Sequence, residues 1–358
     1  MQTDVLIVGG GFAGVTVSQE LAKKGVTTLL LDKKDYFEVT FANLRNIAAP
    51  DATRLQSRKH YRDFLSGRFM QAEVAQLSAK QARLADGQVI HFKHAVIASG
   101  SRYPAMAVAK THSALDIASR TAEMQQSFQQ LQQAKKVLVI GGGVVGVELA
   151  GEIAHAFPDI ELTLAHGGSQ ILDGFKTKAQ QKARQQLENL GVNLQLNRRY
   201  QQQDDSYIDS ATGEKVDADL VFAATGAQPN NEFLQAELAD ILNERGLVKV
   251  NAQLKVEGYN NLYALGDVAD SGEAKLGYLA VEQGKHLAKV IHNTLKNKSS
   301  KTYKRHPLMA LIPVGQKQGV VQLPFAVTTA NLLVNMKQKD LFINKIYKGF
   351  GTKPDIAR

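Results

Sequence analysis

The sequence predicts an α/β fold in which one strand–helix–strand unit occurs twice and is followed by a small C-terminal α+β domain. The segment VLIVGGGFAGV at residues 5–15 is nearly repeated as VLVIGGGVVGV at residues 137–147. In both copies a continuous apolar strand leads into a glycine-rich turn and an apolar helix, a pattern typical of parallel sheets covered on both faces. A chain of 358 residues also exceeds the size of most single hydrophobic cores, so several domains are expected.

The two copies extend well beyond their glycine-rich turns. In the first, the helix is followed by the strand TTLLLD, which ends at Asp32. In the second, the helix is followed by ELTLAH, which ends at His166. Each copy closes with a strand and a small-residue turn, HAVIASGSRYP at 94–104 and LVFAATGAQPN at 220–230. This common order indicates two Rossmann-like dinucleotide-binding domains.

The rest of the chain divides into a return to the first domain and a C-terminal segment. NNLYALGDVAD at 260–270 is a short strand with a glycine and an acid near its end, and a helical pattern follows it. The basic segment KNKSSKTYKRHP is typical of a linker, and the runs LMALIPVG, VVQLPFAV and ANLLVNM beyond it predict mostly strands. The predicted domains are a discontinuous first domain at 1–106 and 232–298, a second at 107–231 and a third at 299–358.

The first glycine-rich turn has the residues that a dinucleotide site requires. In Gly9-x-Gly11-x-x-Gly14 the first glycine permits a tight turn, the second lets the backbone approach a pyrophosphate, and the third lets helix and strand pack closely. Free N–H groups at the start of the helix then bind the phosphates. Asp32, 18 residues after Gly14, stands where a carboxylate accepts hydrogen bonds from an adenosine ribose. We therefore predict a bound dinucleotide here.

The second turn, Gly141-x-Gly143-x-x-Gly146, differs at the end of its second strand, where His166 replaces the acid. A carboxylate there favours the 2′-hydroxyl of NAD and repels the 2′-phosphate of NADP. His166 neither favours the 2′-hydroxyl nor repels the 2′-phosphate strongly, and no arginine follows it closely. NADH and NADPH therefore both stay open as hydride donors. A surface histidine explains the pattern as well as a ribose contact does. Glu148 is expected in the first helical turn, where it either faces the nicotinamide or only complements the helix dipole.

Two dinucleotide sites in one chain are explained by a resident FAD and an exchangeable NADH or NADPH that delivers a hydride to the flavin. Asp267, directly after Gly266, is expected to bond the ribityl chain or the pyrophosphate of FAD, although a helix N-cap explains it too. No metal site is predicted. The other positions assigned to the nucleotide sites are Lys33, Arg45, Val74, Gly100 and Gly226.

The chain contains no cysteine, which excludes disulfides, cysteine-ligated metals and a thiol nucleophile. Over about residues 1–295 its motifs resemble the pyridine nucleotide-disulfide oxidoreductase superfamily. DYFEVTFANLRN, LGYLAVEQGKHLA and MKQKDLF are similar to the apoptosis-inducing-factor branch, and type II NADH dehydrogenases are more distantly similar. Disulfide reductases of the superfamily have a redox-active cysteine pair where residues 35–49 lie here. The resemblance without that pair implies that electrons pass from the flavin to a quinone, another small oxidant or oxygen.

The resemblance implies an NAD(P)H:quinone oxidoreductase with three residues beside the flavin and the quinone. Tyr278 is implied to stack or hydrogen-bond there, and Lys337 to stabilise negative charge on the reduced flavin or a quinone oxygen. Phe342 is implied to line the path of the quinone. Core packing is the alternative for Tyr278, and a solvated tail cation for Lys337. A slow, NADH-responsive interaction module and a ferredoxin or rubredoxin reductase stay open as alternative functions.

The net charge of +9 is concentrated towards the C-terminus. Residues 296–358 contain 12 Lys and Arg against two acids, so this segment alone has a charge of +10 and the rest sums to −1. A basic segment can bind an anionic membrane or an acidic partner, or it can only keep the protein soluble. We expect peripheral membrane association, no specific nucleic acid, and a monomer or homodimer. Without a signal peptide or a long apolar segment, the expected location is the cytoplasm, at the membrane surface.

Overall fold

A computed structural model of the protein describes residues 1–53, 56–204 and 206–355 and confirms the predicted α/β fold. The elements of the first unit are the strands β1 (Gln2–Val8), β2 (Thr28–Asp32), β3 (Tyr36–Glu38), β4 (Arg58–His60), β5 (Arg68–Gln71), β6 (Val74–Leu77), β7 (Gln81–Leu84), β8 (Val89–Ile97) and β9 (Ser101–Arg102), with the helices α1 (Phe12–Ala22) and α2 (Asn43–Ala48).

The second unit contains α3 (Ile117–Gln133), β10 (Lys136–Ile140), α4 (Val144–Ala156), β11 (Glu161–His166), α5 (Thr177–Asn189), β12 (Asn193–Leu196), β13 (Tyr200–Gln203), β14 (Ser206–Asp209), β15 (Leu220–Ala223) and β16 (Gln228–Pro229). The return to the first unit contains β17 (Val248–Lys249), β18 (Leu262–Ala264), β19 (Ala269–Asp270) and α6 (Gly277–Leu295). The C-terminal segment contains β20 (Ala310–Val314), β21 (Gln318–Gln322), β22 (Val327–Thr328), α7 (Asn331–Gln338) and α8 (Ile343–Gly349).

The two glycine-rich turns occupy equivalent places in two parallel sheets. In the first sheet β1 lies between β2 and β8, and in the second β10 lies between β11 and β15. Both central strands are almost entirely buried, which explains their continuous apolar sequence. The late strand β18 pairs with the end of β8, so residues 262–264 complete a sheet that begins at residue 2. Both glycine-rich turns lie at the carboxyl ends of their strands, where nucleotides bind in such sheets.

The C-terminal segment is less strand-rich than the sequence indicated. β20, β21 and β22 form an antiparallel sheet, but the run ANLLVNM lies mostly in α7. The only β-branched residue of α7 is Val334, and its leucines, methionine, lysine and glutamine favour a helix. Helix α8 packs into the core of the first unit, where the rings of Tyr347 and Phe350 lie 5.9 and 5.1 Å from that of Phe37.

Candidate nucleotide and redox site

The first glycine-rich turn has a backbone that only glycines fit, and it leaves one face open. Gly9 has a φ of +104°, and a Cβ on it would lie 2.4 Å from the carbonyl oxygen of Ala98. A Cβ on Gly14 would lie 1.9 Å from the carbonyl oxygen of Gly9. Gly11, by contrast, has no protein atom within 4 Å of its Cβ position. The open side at the start of α1 fits a pyrophosphate that approaches the backbone.

Asp32 holds this turn in place. Its Oδ2 accepts a hydrogen bond from the N–H of Gly10 at 2.6 Å, and its Oδ1 accepts one from the N–H of Lys34 at 2.8 Å. On the opposite side the hydroxyl of Tyr61 donates to the carbonyl of Gly10 at 2.8 Å. The predicted ribose ligand is therefore also the residue that fixes the turn.

The second turn repeats these features. Gly141 has a φ of +113°, and a Cβ on Gly146 would lie 1.8 Å from the carbonyl oxygen of Gly141. Gly143, at the N-cap of α4, has no protein atom within 4 Å of its Cβ position. The second unit therefore offers the same open backbone face to a second dinucleotide.

His166 has the place in the second unit that Asp32 has in the first. Its Nδ1 lies 3.1 Å from the backbone nitrogen of Gly142 and accepts that N–H. The imidazole proton therefore lies on Nε2, which donates to Asp173 at 3.1 Å. The neutral ring holds the turn without putting a negative charge at the end of β11.

Arg199 is a cation near His166 that sequence reasoning missed. Its Cζ lies 3.4 Å from the Cβ position of Gly167, and the N–H of the neighbouring Arg198 bonds the carbonyl of His166 at 3.0 Å. The parallel pairing of β11 with β12 brings this segment to the end of β11. Arg199 lies 33 positions after His166, so nothing in the local sequence indicates the contact.

Asp267 lies in a charged cluster at the short helix Gly266–Val268. Its Oδ2 accepts hydrogen bonds from Ser101 Oγ at 2.8 Å and Lys110 Nζ at 2.6 Å. Burial acts to raise the pKa of Asp267, but Lys110 and the hydrogen bond from Ser101 lower it below its ordinary value. Asp267 therefore stays ionised, and it makes no side-chain cap to the short helix that contains it. Gly100, Gly226 and Gly266, the other predicted turn glycines, all have positive φ.

Glu148 and Lys337 form a buried ion pair between α4 and α7. Lys337 Nζ lies 2.8 Å from Glu148 Oε1 and also donates to the carbonyl of Leu311 at 3.1 Å. Burial raises the pKa of Glu148 above its ordinary value, although Lys337 opposes the rise. Glu148 lies in the second turn of α4, not in the first as expected, because the helix begins at Val144 directly after the glycine turn. A dipole-complementing role in the first turn is thus excluded.

Arg45 and Glu152 form a second buried pair one turn further along α4. Arg45 Nε and Nη2 donate to Glu152 Oε1 at 3.0 and 2.9 Å, and its Nη1 donates to the carbonyl of Gln338 at 2.9 Å. Arg45 was assigned to a nucleotide site, and its contacts here join α2, α4 and α7. Lys337 and Gln338 thus fix α7 against both α4 and α2.

Aromatic contacts connect this pair to the starts of α1 and α6. The ammonium of Lys337 lies 5.4 Å from the centre of the Phe41 ring, which stacks on Phe12 with centroids 5.6 Å apart. The Phe12 ring lies 3.4 Å from the Cβ position of Gly277. The first residues of both helices are therefore connected to the Glu148–Lys337 pair through the Phe41 ring.

The remaining predicted residues have other contacts. The hydroxyl of Tyr278 donates to the carbonyl of Pro307 at 3.1 Å, and the ring centre of Phe342 lies 5.1 Å from the Lys345 ammonium. Lys33 forms an ion pair with Glu73 at 2.6 Å. Val74 is buried at the start of β6. Tyr278 thus anchors the linker to α6. Phe342 adopts a left-handed conformation, with a φ of 55°, at the turn into α8.

Comparisons with known proteins agree with this geometry. The family described as pyridine nucleotide-disulphide oxidoreductase matches residues 3–284. Ferroptosis suppressor protein 1 of Xenopus tropicalis is 31% identical, over 97% of this chain and 96% of its own length. Apoptosis-inducing factor homolog B of Dictyostelium discoideum is 30% identical, over 95% of both chains. These relatives confirm the resemblance to the apoptosis-inducing-factor branch.

Two solved structures show the same fold. NDH2 from Plasmodium falciparum, solved in complex with NADH, superimposes with a TM-score of 0.78 at 17% identity and covers 98% of this chain and 97% of its own. The sulfide:quinone oxidoreductase of Aquifex aeolicus superimposes with a TM-score of 0.79 at 17% identity and covers 97% and 92%. The chain therefore belongs to the pyridine nucleotide-disulphide oxidoreductase family, as an FAD-dependent oxidoreductase that uses NAD(P)H.

Proposed function

We propose that the protein is an NAD(P)H:quinone oxidoreductase that works without a redox-active disulfide. The observation that supports this best is the buried Glu148–Lys337 pair, which is connected through the rings of Phe41 and Phe12 to the starts of α1 and α6. The chain has no cysteine, so it cannot pass electrons to a disulfide through a thiol of its own. A quinone is an acceptor that needs no such thiol.

The chain's own residues bind and position the two nucleotides. The open backbone faces at Gly11 and Gly143 suit the two pyrophosphates, and Asp267 suits the hydroxyls of the FAD ribityl chain. Bound FAD supplies the two-electron chemistry between NAD(P)H and the acceptor. Phe12 and Phe41 line the meeting point of the helices with apolar surface, which keeps water away from the Glu148–Lys337 pair.

Lys337 and Glu148 have complementary tasks in this proposal. Lys337 places a fixed positive charge in a buried site, where it stabilises negative charge on a reduced acceptor oxygen far better than it would in water. Glu148 balances that charge in the resting protein. Because its pKa is raised, the Glu148 carboxyl can hold a proton at a higher pH than an exposed glutamate can.

Peripheral association with an anionic membrane belongs to the same proposal. Long-chain quinones dissolve in bilayers, and the charge of +10 on residues 296–358 is attracted to anionic lipid.

Rapid kinetics test the proposed reaction. Under anaerobic conditions the flavin absorbance of the purified protein is followed after NADH or NADPH, and then after a short-chain quinone. Lys337→Met should slow reoxidation by quinone about 100-fold, the usual cost of removing one charge-stabilising group. Lys339→Met changes an exposed lysine two residues along the chain, at the end of α7, and should react like the wild type. Glu148→Ala should slow reduction by the nucleotide, and an unchanged reduction rate would contradict its role.

The wild-type traces also separate the alternatives. Rapid bleaching by nucleotide and rapid recovery with quinone support a quinone reductase. A long-lived reduced complex with the oxidised nucleotide would indicate the interaction module. Fast recovery with ferredoxin or rubredoxin, but not with quinone, would indicate the protein-acceptor reductase.

A further inference from the structure

Lys110 is a cation beside Asp267 that neither glycine-rich motif accounts for. It lies in the connecting segment, residues 103–116, which joins β9 of the first unit to α3 of the second. Its Nζ lies 2.6 Å from Asp267 Oδ2 and donates to Ser101 Oγ at 2.9 Å. The ammonium also lies 5.7 Å from the centre of the Tyr103 ring. These contacts hold the lysine in one place, with 27% of its side chain exposed.

The connecting segment is fixed by the first unit and by α3. Three of its carbonyl groups accept hydrogen bonds from fully buried side chains: Val108 from Arg120 at 2.6 Å, Ala109 from Asn43 at 3.1 Å and Ala114 from Tyr36 at 3.0 Å. Connections between elements are usually mobile, but buried polar groups are costly to leave without their partners. The backbone on either side of Lys110 therefore has one arrangement, which places the ammonium at Asp267.

The Asp267 carboxylate keeps one oxygen for a further donor. Ser101 and Lys110 both bond Oδ2, and no donor in the described part of the chain bonds Oδ1. The side chain is 19% exposed, and Oδ1 is not sealed from solvent. The backbone beside it is fixed, because the N–H of Gly266 donates to the buried Gln283 at 2.8 Å. An ionised carboxylate with one oxygen held and the other free can accept a hydroxyl of the FAD ribityl chain.

Lys110 also offsets negative charge at the FAD site. FAD is an anion because of its pyrophosphate, and an unpaired carboxylate beside it would oppose binding. Burial acts to raise the pKa of Asp267, but Lys110 lowers it, so the carboxyl stays ionised while its charge is balanced. Lys275, a second lysine near this carboxyl, donates instead to the carbonyls of Gly266 and Ala269, at 3.5 and 2.5 Å. Of these two lysines, Lys110 is the one that bonds the carboxylate itself.

We propose that Lys110 is a positioning residue for FAD, which holds the Asp267 carboxylate by Oδ2 so that Oδ1 accepts a hydroxyl of the ribityl chain. Lys110 acts through Asp267, and the buried donors of α3 and the first unit keep the connecting segment where this requires it. The cofactor is thus retained in part by a segment between the two units, outside both glycine-rich motifs. The inference concerns FAD alone and holds for a quinone or any other acceptor.

The rate of FAD release tests the role of Lys110. The FAD-loaded full chain is diluted, and release is followed by the recovery of flavin fluorescence. Lys110→Met should release FAD about tenfold faster than the wild type, because a charge-assisted hydrogen bond at the site is lost. Lys110→Arg keeps a cation and should stay within about threefold of the wild type. The matched control Lys93→Met removes an exposed lysine that pairs with Asp4 in β1, and should release FAD as the wild type does.

A second set of variants tests whether Lys110 acts through Asp267. Asp267→Asn should by itself release FAD about tenfold faster, because an amide oxygen is a weaker acceptor than a carboxylate. Adding Lys110→Met to Asp267→Asn should then change the release rate by less than about threefold, since the two residues form one interaction. A double variant whose effect equals the product of the two single effects would contradict action through Asp267.

Two other results would overturn the inference. One is a Lys110→Met protein that releases FAD as slowly as the wild type. The other is a Lys110→Arg protein that releases FAD as fast as Lys110→Met, because packing of the connecting segment, and not the charge, would then retain the cofactor. If Lys110→Met is isolated without flavin, Lys110→Gln, which keeps a hydrogen-bond donor, replaces it under the same criteria. FAD release as predicted in a protein that does not reduce quinone would contradict the proposed function and leave this inference intact.

Discussion

In the two glycine-rich units the same backbone N–H is bound by different side chains. In each, the last residue of the second strand accepts the N–H of the middle glycine, Asp32 that of Gly10 at 2.6 Å and His166 that of Gly142 at 3.1 Å. The first residue is a carboxylate and the second a neutral imidazole. The fold therefore needs an acceptor at this position but not a charge, which leaves the charge free to select the nucleotide.

The largest effects are expected from the third glycine of each turn. Gly14→Ala and Gly146→Ala both force a Cβ to within 2 Å of a backbone oxygen, at 1.9 and 1.8 Å, so the turn must shift. Gly14→Ala should give a protein without flavin. Gly146→Ala should keep its flavin but be reduced by nucleotide about 100-fold more slowly, since a shift of about 1 Å has that cost. Flavin content and stopped-flow reduction measure the two effects. Loss of flavin in both variants would show that the two units are not independent.

Two buried carboxylates, Glu38 and Glu148, should make the stability of the protein depend on pH in opposite ways. Burial acts to raise the pKa of Glu38, but Arg120, Lys34 and Arg58 lower it to about 2. Glu148 has one lysine partner, and burial raises its pKa. The stabilisation from Glu38 is present above its unfolded pKa of 4.5 and is lost as the pH falls through about 2. The contribution of Glu148 is present below 4.5 and is lost as the pH rises through its raised pKa.

Glu38→Gln should therefore lower the free energy of unfolding by about 3 kcal/mol at pH 7, because it leaves Arg58 without its carboxylate and Arg120 with Glu123 alone. The difference from wild type should shrink as the pH is lowered towards 2. Glu148→Gln is the matched control with the opposite sign: because the contribution of Glu148 increases as the pH falls through its raised pKa, the difference from wild type should move in the wild type's favour as the pH is lowered. Urea unfolding across the acid range measures both variants, and a pH-independent Glu38→Gln effect would contradict the ion-pair account.

A smaller effect is expected when the second unit is made like the first. His166→Asp keeps an acceptor for the N–H of Gly142 but adds a negative charge that repels the 2′-phosphate of NADPH. The ratio of kcat/KM for NADPH to that for NADH should fall about tenfold. Arg199→Ala should move the ratio in the same direction, because it removes a cation near the same position. Asp173→Asn removes a negative charge beside His166 and should raise the same ratio. An unchanged ratio in all three variants would show that the adenosine ribose binds elsewhere.

The parts of the fold and the site that could be predicted from the sequence are those that depend on local patterns. Gly9, Gly14 and Asp32 act on neighbours within one strand–helix–strand unit, so their spacing was sufficient to predict the turn. Arg45 and Gln338 are 293 positions apart, and Ser101 and Asp267 are 166 apart, so no local pattern indicates these contacts. Lys110 and Arg199 were missed for the same reason. Helix α7 was predicted as strand because a short apolar run fits either state until its packing is known.

Helix α8 and Phe350 close the core of the first unit, where Gln19 Nε2 also donates to the carbonyl of Phe350 at 2.7 Å. During synthesis the N-terminus of the chain emerges from the ribosome first, and domains fold as their residues emerge. Every strand of the second unit has emerged before residue 341 is made, whereas the first unit still lacks α8. The core of the unit that is encoded first is therefore completed last. A chain interrupted before residue 341 leaves the ring of Phe37 without two of its four aromatic neighbours, although the missing residues lie at the far end of the sequence.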